Sequence, residues 1–345
     1  ASTDTRWDFT DDFLTLAGLE SDRRALDDTD GGADWINMAA ITGDISVTLV
    51  QDGVLSVDGT SWVTLGAGQI ENMVAGDGDD RITGNAGANH LVGARGNDML
   101  TGMDGADTLS GGQGNDKLFG DQFNVGQTDV SAEVYRLYHA TLGRGPDGAG
   151  HYSWTWKIVE GSHTLESVAD GFIASAEFQR TYGDTDNTAF VTLLYDNVLD
   201  RLPDMAGLAS WVDRLDSGAL TRQQVVRGFA QSVEFINSTA DDVVAYMRGL
   251  GVDDTLNGGR GTNALYGGAG ADKFVFEAAD NGTTTVHDFE AWDWLELDGF
   301  GFASTAQALA AFTQQGDDVV FTHSGVHIVL ADTDLSLLTQ DSVLI

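Results

Sequence analysis

The chain has 345 residues, 54 acidic against 17 basic side chains, a formal net charge of −37, and no cysteine. A length of this order accommodates two or three domains, and the lack of clustered Lys/Arg excludes nucleic acid as a partner, because phosphate backbones are bound by such clusters. The missing cysteines exclude a disulfide framework and imply an exported protein held by metal instead, and no run of about eighteen apolar residues is present to cross a membrane as a helix.

The N-terminal segment, residues 1–30, opens with Ala1-Ser2-Thr3-Asp4-Thr5, which has neither the basic nor the apolar region of a secretory leader. The absent initiator methionine leaves a fragment or a mature start open. Residues 31–120 are expected to hold strands and the first part of a roll. Ile45–Val50, Val54–Val57 and Val63–Leu65 alternate or run apolar between Gly/Asp turns and predict strands. Gly31-Gly32-Ala33-Asp34-Trp35-Ile36-Asn37 reads as a degenerate turn plus strand, with Asp27, Asp30 and Asp34 as candidate extra metal ligands.

Between Ala75 and Phe119 one nonapeptide is written five times, and it returns three times between Gly249 and Val275. The clearest copies are Gly111-Gly112-Gln113-Gly114-Asn115-Asp116-Lys117-Leu118-Phe119 and Gly267-Gly268-Ala269-Gly270-Ala271-Asp272-Lys273-Phe274-Val275. Each unit is a six-residue glycine-rich turn ending in Asp or Asn, then a three-residue strand, the pattern of a calcium-binding β-helix. The inward apolar positions are Ile82, Leu91, Leu100, Leu109, Leu118, Leu256, Leu265 and Phe274. A flexible glycine-rich linker would not place an apolar residue at every ninth position. One such side chain contributes about 1.5–3 kcal/mol, too little to offset the ordering of nine glycine-rich residues. A divalent cation between stacked turns supplies the difference. Calcium suits the role, since a hard cation takes six to eight oxygens and the turns offer carbonyls and carboxylates.

Turns on one edge of such a roll are eighteen residues apart. One edge is expected to carry Asp80, Asp98, Asp116 and Asn263, the other Asn89, Asp107, Asp254 and Asp272. Each ion sits between two neighbours on one edge, which makes about six ions in the roll. The turn glycines Gly76, Gly78, Gly93, Gly96, Gly102, Gly105, Gly111, Gly112, Gly114, Gly258, Gly259, Gly261, Gly267, Gly268 and Gly270 bring backbone oxygens to the same ions. Neutral Asn89 and Asn263 predict weaker sites, and Val252, in place of the second turn glycine, marks the turn from Gly249 as the poorest. The acidity is selective, 44 Asp against 10 Glu. That bias reads as metal sites, as a salt-adapted surface with only three lysines, or as both.

Residues 121–248 replace the glycine repeat with helical patterning and an internal repeat offset by 57 residues. Tyr138, Leu142, Arg144, Pro146-Asp147, Gly150, Trp154, Gly171-Phe172, Ser175 and Glu177-Phe178 recur as Tyr195, Leu199, Arg201, Pro203-Asp204, Gly207, Trp211, Gly228-Phe229, Ser232 and Glu234-Phe235. The aromatic residues at helical spacing predict a core, with a sugar platform the lesser alternative. Arg144/Arg201 with Asp147/Asp204 read as buried salt-bridged turns or as a ligand site. His151, Tyr152 and Trp156 have no counterpart in the second half and are candidates for an exposed ligand contact. The nonapeptide phase is kept from Phe119 to Gly249, which predicts one continuous roll interrupted by the helical segment.

Residues 249–275 complete the roll, and 276–345 read as a β cap. Strands are expected at Thr285–Phe289, Trp294–Leu297, Val319–Thr322 and Val326–Leu330, the last two forming a hairpin across His323-Ser324-Gly325, and a short helix at Ala306–Phe312. The fold class is therefore α+β multidomain: a parallel β-roll with an inserted all-α domain and a C-terminal β cap.

Residues 27–120 and 249–345 resemble the C-terminal RTX (repeats-in-toxin) domain of serralysin-type secreted proteins, on Gly31–Asn37, Ile70-Glu71-Asn72, the eight nonapeptides, Asp272–Phe276 and His287-Asp288-Phe289. That resemblance implies a calcium-bound RTX β-roll, and Leu338–Ile345 looks like the family's uncleaved signal for type I secretion. The helical segment resembles a bacterial family of unknown function seen beside RTX repeats and in S-layer-type proteins. Serralysins need His-Glu-x-x-His, and none of His90, His139, His151, His163, His287, His323 and His327 has that spacing. No catalytic motif is present. The expected function is a calcium-dependent, non-enzymatic secreted or cell-surface protein exported by the type I machinery. Its helical module would bind surface polysaccharide or other copies of itself, in an adhesion or S-layer-type role. The alternative is the C-terminal targeting and calcium-folding region of a larger secreted hydrolase such as a metalloprotease.

Overall fold

The computed structural model of the protein describes residues 4–13, 25–28, 31–121, 130–183 and 185–345; Asp30 lies outside them. The chain divides into two compact units, Ala1–Gly126 with Met247–Ile345, and Gln127–Tyr246.

The first unit is a coil of short strands in two rows. One row runs through Arg6–Thr10, Trp35–Ala40, Asn72–Val74, His90–Arg95, Thr108–Gln113, the start of Thr255–Tyr266, Lys273–Glu277, Trp294–Asp298 and Val343–Leu344, every neighbour parallel. The other runs through Ile45–Thr48, Arg81–Thr83, Met99–Thr101, Lys117–Phe119, the end of Thr255–Tyr266, Gly282–Val286 and Val326–Leu330, also parallel. Antiparallel strands flank this second row. Val54–Val57 and Thr60–Leu65 lie at one end, Asp318–His323 and Phe312–Gln315 at the other. Because Thr255–Tyr266 passes through both rows, they join into one mixed sheet.

The nine-residue period explains the alternation: each three-residue strand enters one row, and the six-residue turn carries the chain to the other. Residues eighteen apart therefore stack, as Leu91 on Leu109 and Leu100 on Leu118. The stacking continues across the helical segment, with Leu109 on Leu256 and Leu118 on Leu265. All eight inward apolar residues are at most 1% exposed and share one core with Ile36, Met73 and Leu295.

Expected boundaries shift: the strand placed at Thr285–Phe289 runs over Gly282–Val286, and the one placed at Ile45–Val50 ends at Thr48. The short helix spans only Thr305–Leu309, because Phe312 begins an antiparallel strand opposite Phe321. The hairpin at His323-Ser324-Gly325 has positive φ at Ser324 (53°) and Gly325 (89°), as a tight primed turn between twisted strands requires.

The second unit is helical among its described residues. Its helices are α1 (Val130–Leu142), α2 (Gly148–Val159), α3 (Leu165–Ala174), α4 (Ala176–Tyr182), α5 (Asn187–Leu199), α6 (Met205–Asp216), α7 (Arg222–Ala230) and α8 (Val233–Met247). The second four repeat the first four in order and capping. Asp147 and Asp204 cap α2 and α6 by accepting from the Gly150 and Gly207 amides, and Thr164 and Thr221 form capping boxes on α3 and α7. Tyr138 meets Phe172 edge-on at 4.6 Å, and Tyr195 meets Phe229 at 4.9 Å. These rings are buried, with Trp154 and Trp211 packed against them.

The expected Arg–Asp salt bridge does not form. Arg144 pairs with Glu177 at 2.8 Å and Arg201 with Glu234 at 2.6 Å, both in half-exposed positions. The physical reason is that the Asp147 and Asp204 carboxylates are already engaged as helix caps.

Candidate metal centres along the roll edges

The turn residues stack into two hydrogen-bonded ladders. On one edge the Asp80 amide donates to Asp98 Oδ1 at 2.9 Å, Asp98 to Asp116 at 2.8 Å, and Asp116 to Asn263 at 2.9 Å. On the other, Asn89 donates to Asp107 at 2.7 Å, Asp107 to Asp254 at 2.7 Å, and Asp254 to Asp272 at 2.8 Å. The two sets are the edges that the eighteen-residue spacing assigns. All eight side chains are at most 3% exposed.

One oxygen of each carboxylate is thus held by the neighbouring rung. The second is often left over: Oδ2 of Asp98, Asp107, Asp116 and Asp254 is buried and accepts no hydrogen bond. Each lies directly over the first glycine of its own turn, where a Cβ at Gly93, Gly102, Gly111 or Gly120 would collide with it. Buried anionic oxygens without a donor are costly unless a cation meets them. Carboxylate oxygens facing a glycine-walled turn rich in carbonyls form the donor set of a hard divalent ion, and calcium fits it.

The two asparagines differ as their chemistry dictates. Asn89 accepts from the Asn85 amide and donates to the Glu71 carbonyl, and Asn263 donates to the Gly259 carbonyl and Thr284 Oγ1. Their amides find protein partners where the carboxylates leave one oxygen open. Asp34 is fully buried, with Oδ1 accepting from the Thr5 amide at 2.6 Å and Oδ2 without a donor. Asp27 instead holds the Ala67 amide. Among the described residues no three acidic or histidine side chains converge into a metal site on their own, so an ion held here would need backbone carbonyls to complete its ligands.

Burial pushes Asp98 up to about 8, Asp107 to about 7, and Asp80 and Asp116 to about 6. At the end of the roll after residue 272, burial first and neighbouring carboxylates second raise Asp272 and Glu290 well above the usual range. Without a cation these side chains hold their protons to higher pH than an ordinary carboxylate does.

The sixth turn corrects an expectation. Gly249 does not open it: α8 ends at Met247 and Leu250 donates back to the Met247 carbonyl, so the residues after the helix belong to its end. The first two places are taken by Gly120 and Asp121, which follow Gly111 and Gly112 at the regular nine-residue interval. That phase was readable before the helical segment. Sequence reasoning also missed Glu71, which accepts from the Asp34 amide at 2.9 Å, and Asp288 and Asp293, which accept from the Gly267 and Asp272 amides at 2.9 and 2.8 Å. They extend the ladders beyond the nonapeptides, and only the spacing of Glu71, eighteen residues before Asn89, signals it.

Residues 65–100, 93–124 and 248–281 match the family model described as the RTX calcium-binding nonapeptide repeat. These stretches of the roll are RTX calcium-binding repeats. Residues 118–180 and 169–239 match the domain of unknown function DUF4214, twice, in keeping with the doubled helical pattern. No curated protein matches the chain. Among solved structures, the extracellular lipase LipA from Serratia marcescens is similar over 78% of this chain and 40% of its own length, at 17% identity and a TM-score of 0.24. The chain thus spans less than half of that lipase, and a likeness so low carries no argument about fold or activity.

The ligand residues expected in the DUF4214 helices are not gathered on an open surface. His151 is 3% exposed, its Nε2 2.9 Å from the Ser131 carbonyl and its ring edge-on to Tyr246 at 5.2 Å. It faces inward from α2, while Tyr152 and Trp156 are half-buried. His323 and His327 lie on the two strands of the hairpin, with His327 Nδ1 2.7 Å from Thr322 Oγ1.

Proposed function

We propose that this is a calcium-dependent secreted or cell-surface protein without catalysis, exported by a type I machinery and folded by extracellular calcium. The observation that carries the reading is the row of buried Asp Oδ2 atoms left without donors, one in each of four turns. In calcium-poor cytosol these turns lack their counter-ions, and the chain stays extended enough to thread a secretion channel. Outside, millimolar calcium closes them. If each site binds with constants of about 10⁻⁴–10⁻³ M, ~10 mM calcium adds about 1.4–2.7 kcal/mol per site.

The helical module is proposed to bind a surface partner, polysaccharide or another copy. Support comes from Leu202, Met205 and Val233, which are 76%, 91% and 74% exposed and flank the Arg201–Glu234 pair in sequence. The first repeat has Gly145, Gly148 and Ala176 in the same places. Large apolar side chains grouped in the open are characteristic of contact surfaces. Circular dichroism during a calcium titration tests the folding step, and a roll fully ordered in excess chelator would sink it. Glycan-array binding and light scattering of the calcium-loaded chain test the partner. No glycan binding and a strict monomer would remove the adhesive part.

A further inference from the structure

We propose that the interrupted sixth turn is itself a calcium site, assembled from both chain segments that flank the helical unit, Gly120-Asp121 and Asp253-Asp254. The ion would clasp the chain where it leaves the roll to where it returns. The inference rests on the calcium reading above and adds to it Asp121 and Asp253, acidic residues that the repeat pattern does not specify.

In the uninterrupted turns, the glycine and the Asp above it come from one continuous stretch, as Gly102 with Asp107 or Gly111 with Asp116. In the sixth, the glycine is Gly120 and the carboxylate is Asp254, from the far side of the helical segment. Asp254 is 1% exposed, and its Oδ2 accepts no hydrogen bond. The Gly267 carbonyl oxygen comes up against the same glycine, so a carboxylate and a carbonyl oxygen crowd one Cα. The Gly120 amide is fixed by the Tyr266 carbonyl at 2.9 Å, which holds this wall of the turn in place.

Asp121 adds what no nonapeptide turn has. Its place is filled elsewhere by Gly76, Asn85, Ala94, Met103, Gly112, Gly259 and Gly268, none of them acidic. Asp121 is 3% exposed, packs its Cβ over Gly268, and accepts from the Ala269 amide at 2.9 Å. Asp253 mirrors it from the returning segment by accepting from the Ala271 amide at 3.0 Å. The two segments are thus pinned to neighbouring amides of one turn, with the open oxygen of Asp254 beside them. No Lys or Arg among the described residues forms an ion pair with Asp121 or Asp254. A divalent cation satisfies the unpartnered oxygen and neutralises both carboxylates.

The test uses the full chain, with calcium-45 equilibrium dialysis for the ion count and amide exchange for the clasp. Asp121→Asn keeps an oxygen for the Ala269 amide but removes the charge. It is expected to weaken one site by roughly tenfold or more, seen as one ion fewer near the dissociation constant, and to speed exchange at Gly120, Ala269 and Ala271. Asp121→Glu restores the charge and is expected to recover the ion. Asp98→Asn, in an uninterrupted turn, should lose an ion while leaving exchange at those three amides unchanged. An Asp121→Asn chain that binds as many ions as the unaltered protein, with unchanged exchange, overturns the proposal. Equal loss in the Asn and Glu variants overturns the ligand role of Asp121. An unaltered chain that binds no calcium overturns the parent reading as well.

Discussion

The roll and the helical unit are both written as internal repeats, yet different forces close them. A nonapeptide buries one apolar side chain and leaves a carboxylate oxygen open in turn after turn. A helical half buries a cluster of rings, and the polar groups of its motif find protein partners: Arg144 on Glu177, Asp147 on the Gly150 amide, Ser175 on the Phe178 amide. The motif side chains of the helical repeat are satisfied within the protein, and the atoms that its described residues bury without a hydrogen-bond partner, such as the neutral hydroxyls Thr155 Oγ1 and Tyr246 OH, include no carboxylate. A repeat that leaves a buried carboxylate oxygen open in four of its eight turns delegates part of its stability to an ion.

Removing calcium should separate the two most widely. In chelator, amides of the two strand rows are expected to lose protection while those of α1 to α8 keep it, read by hydrogen exchange with mass spectrometry on the full chain. Loss of protection in both units together would show that they are not independently stabilised. A smaller effect comes from thinning each core at saturating calcium. Leu109→Ala removes a fully stacked rung and Phe190→Ala a ring from the helical core, each costing about 2–5 kcal/mol. Urea titration should show each loss confined to its own unit, and a Leu109→Ala roll as stable as the parent would mean that ions outweigh the apolar rungs entirely.

Acidity should move the two units in opposite directions. In the metal-free roll, Asp98 at about 8 and Asp107 at about 7 sit above the ordinary 3.8. Their contribution is fully present below about pH 4 and fades as pH rises through 6 to 8. Chelated roll should therefore gain order on acidification, while calcium binding weakens over the same range as protons compete for the carboxylates. In the helical unit burial lowers His139 and His151 below the ordinary 6.5. Their contribution is present above pH 6.5 and is lost as pH falls below it. Dichroism in chelator from pH 8 to 5, with exchange to assign the unit, distinguishes the two slopes. Parallel slopes would refute the contrast.

The strand rows and the eight edge residues were legible because a strict period fixes stacking: a carboxylate every eighteen residues on one edge can only meet its neighbours there. Where the period lapses, the reading fails for a physical reason. Gly249 sits at the right interval but is claimed by the end of α8, and the turn takes Gly120 from upstream instead. Glu71 keeps the eighteen-residue interval to Asn89, whereas Asp288 and Asp293 lie 21 residues beyond the Gly267 and Asp272 amides they hold, so spacing from the roll does not find those two. His151 looked like a surface residue because it lacked a counterpart, but one helix position among many apolar neighbours is decided by packing against Tyr246 and Ser131, which no local pattern encodes.

The smallest expected effects lie in the helical motif itself, where each polar contact can be removed without touching the core. Ser175→Ala deletes the hydroxyl that accepts from the Phe178 amide at the start of α4, and should cost about 1 kcal/mol in calcium and in chelator alike. Arg201→Ala removes an ion pair to Glu234 that is half in solvent and a cation stacked 4.9 Å from the Tyr195 ring. Screening by water makes the ion pair worth little, so this variant should fall below Ser175→Ala and weaken further in its effect as salt is raised. Independence from calcium is the informative part of both measurements. If either substitution destabilises the chain only when calcium is present, the helical repeat depends on the ion as the roll does, and the division of labour between the two repeats is wrong.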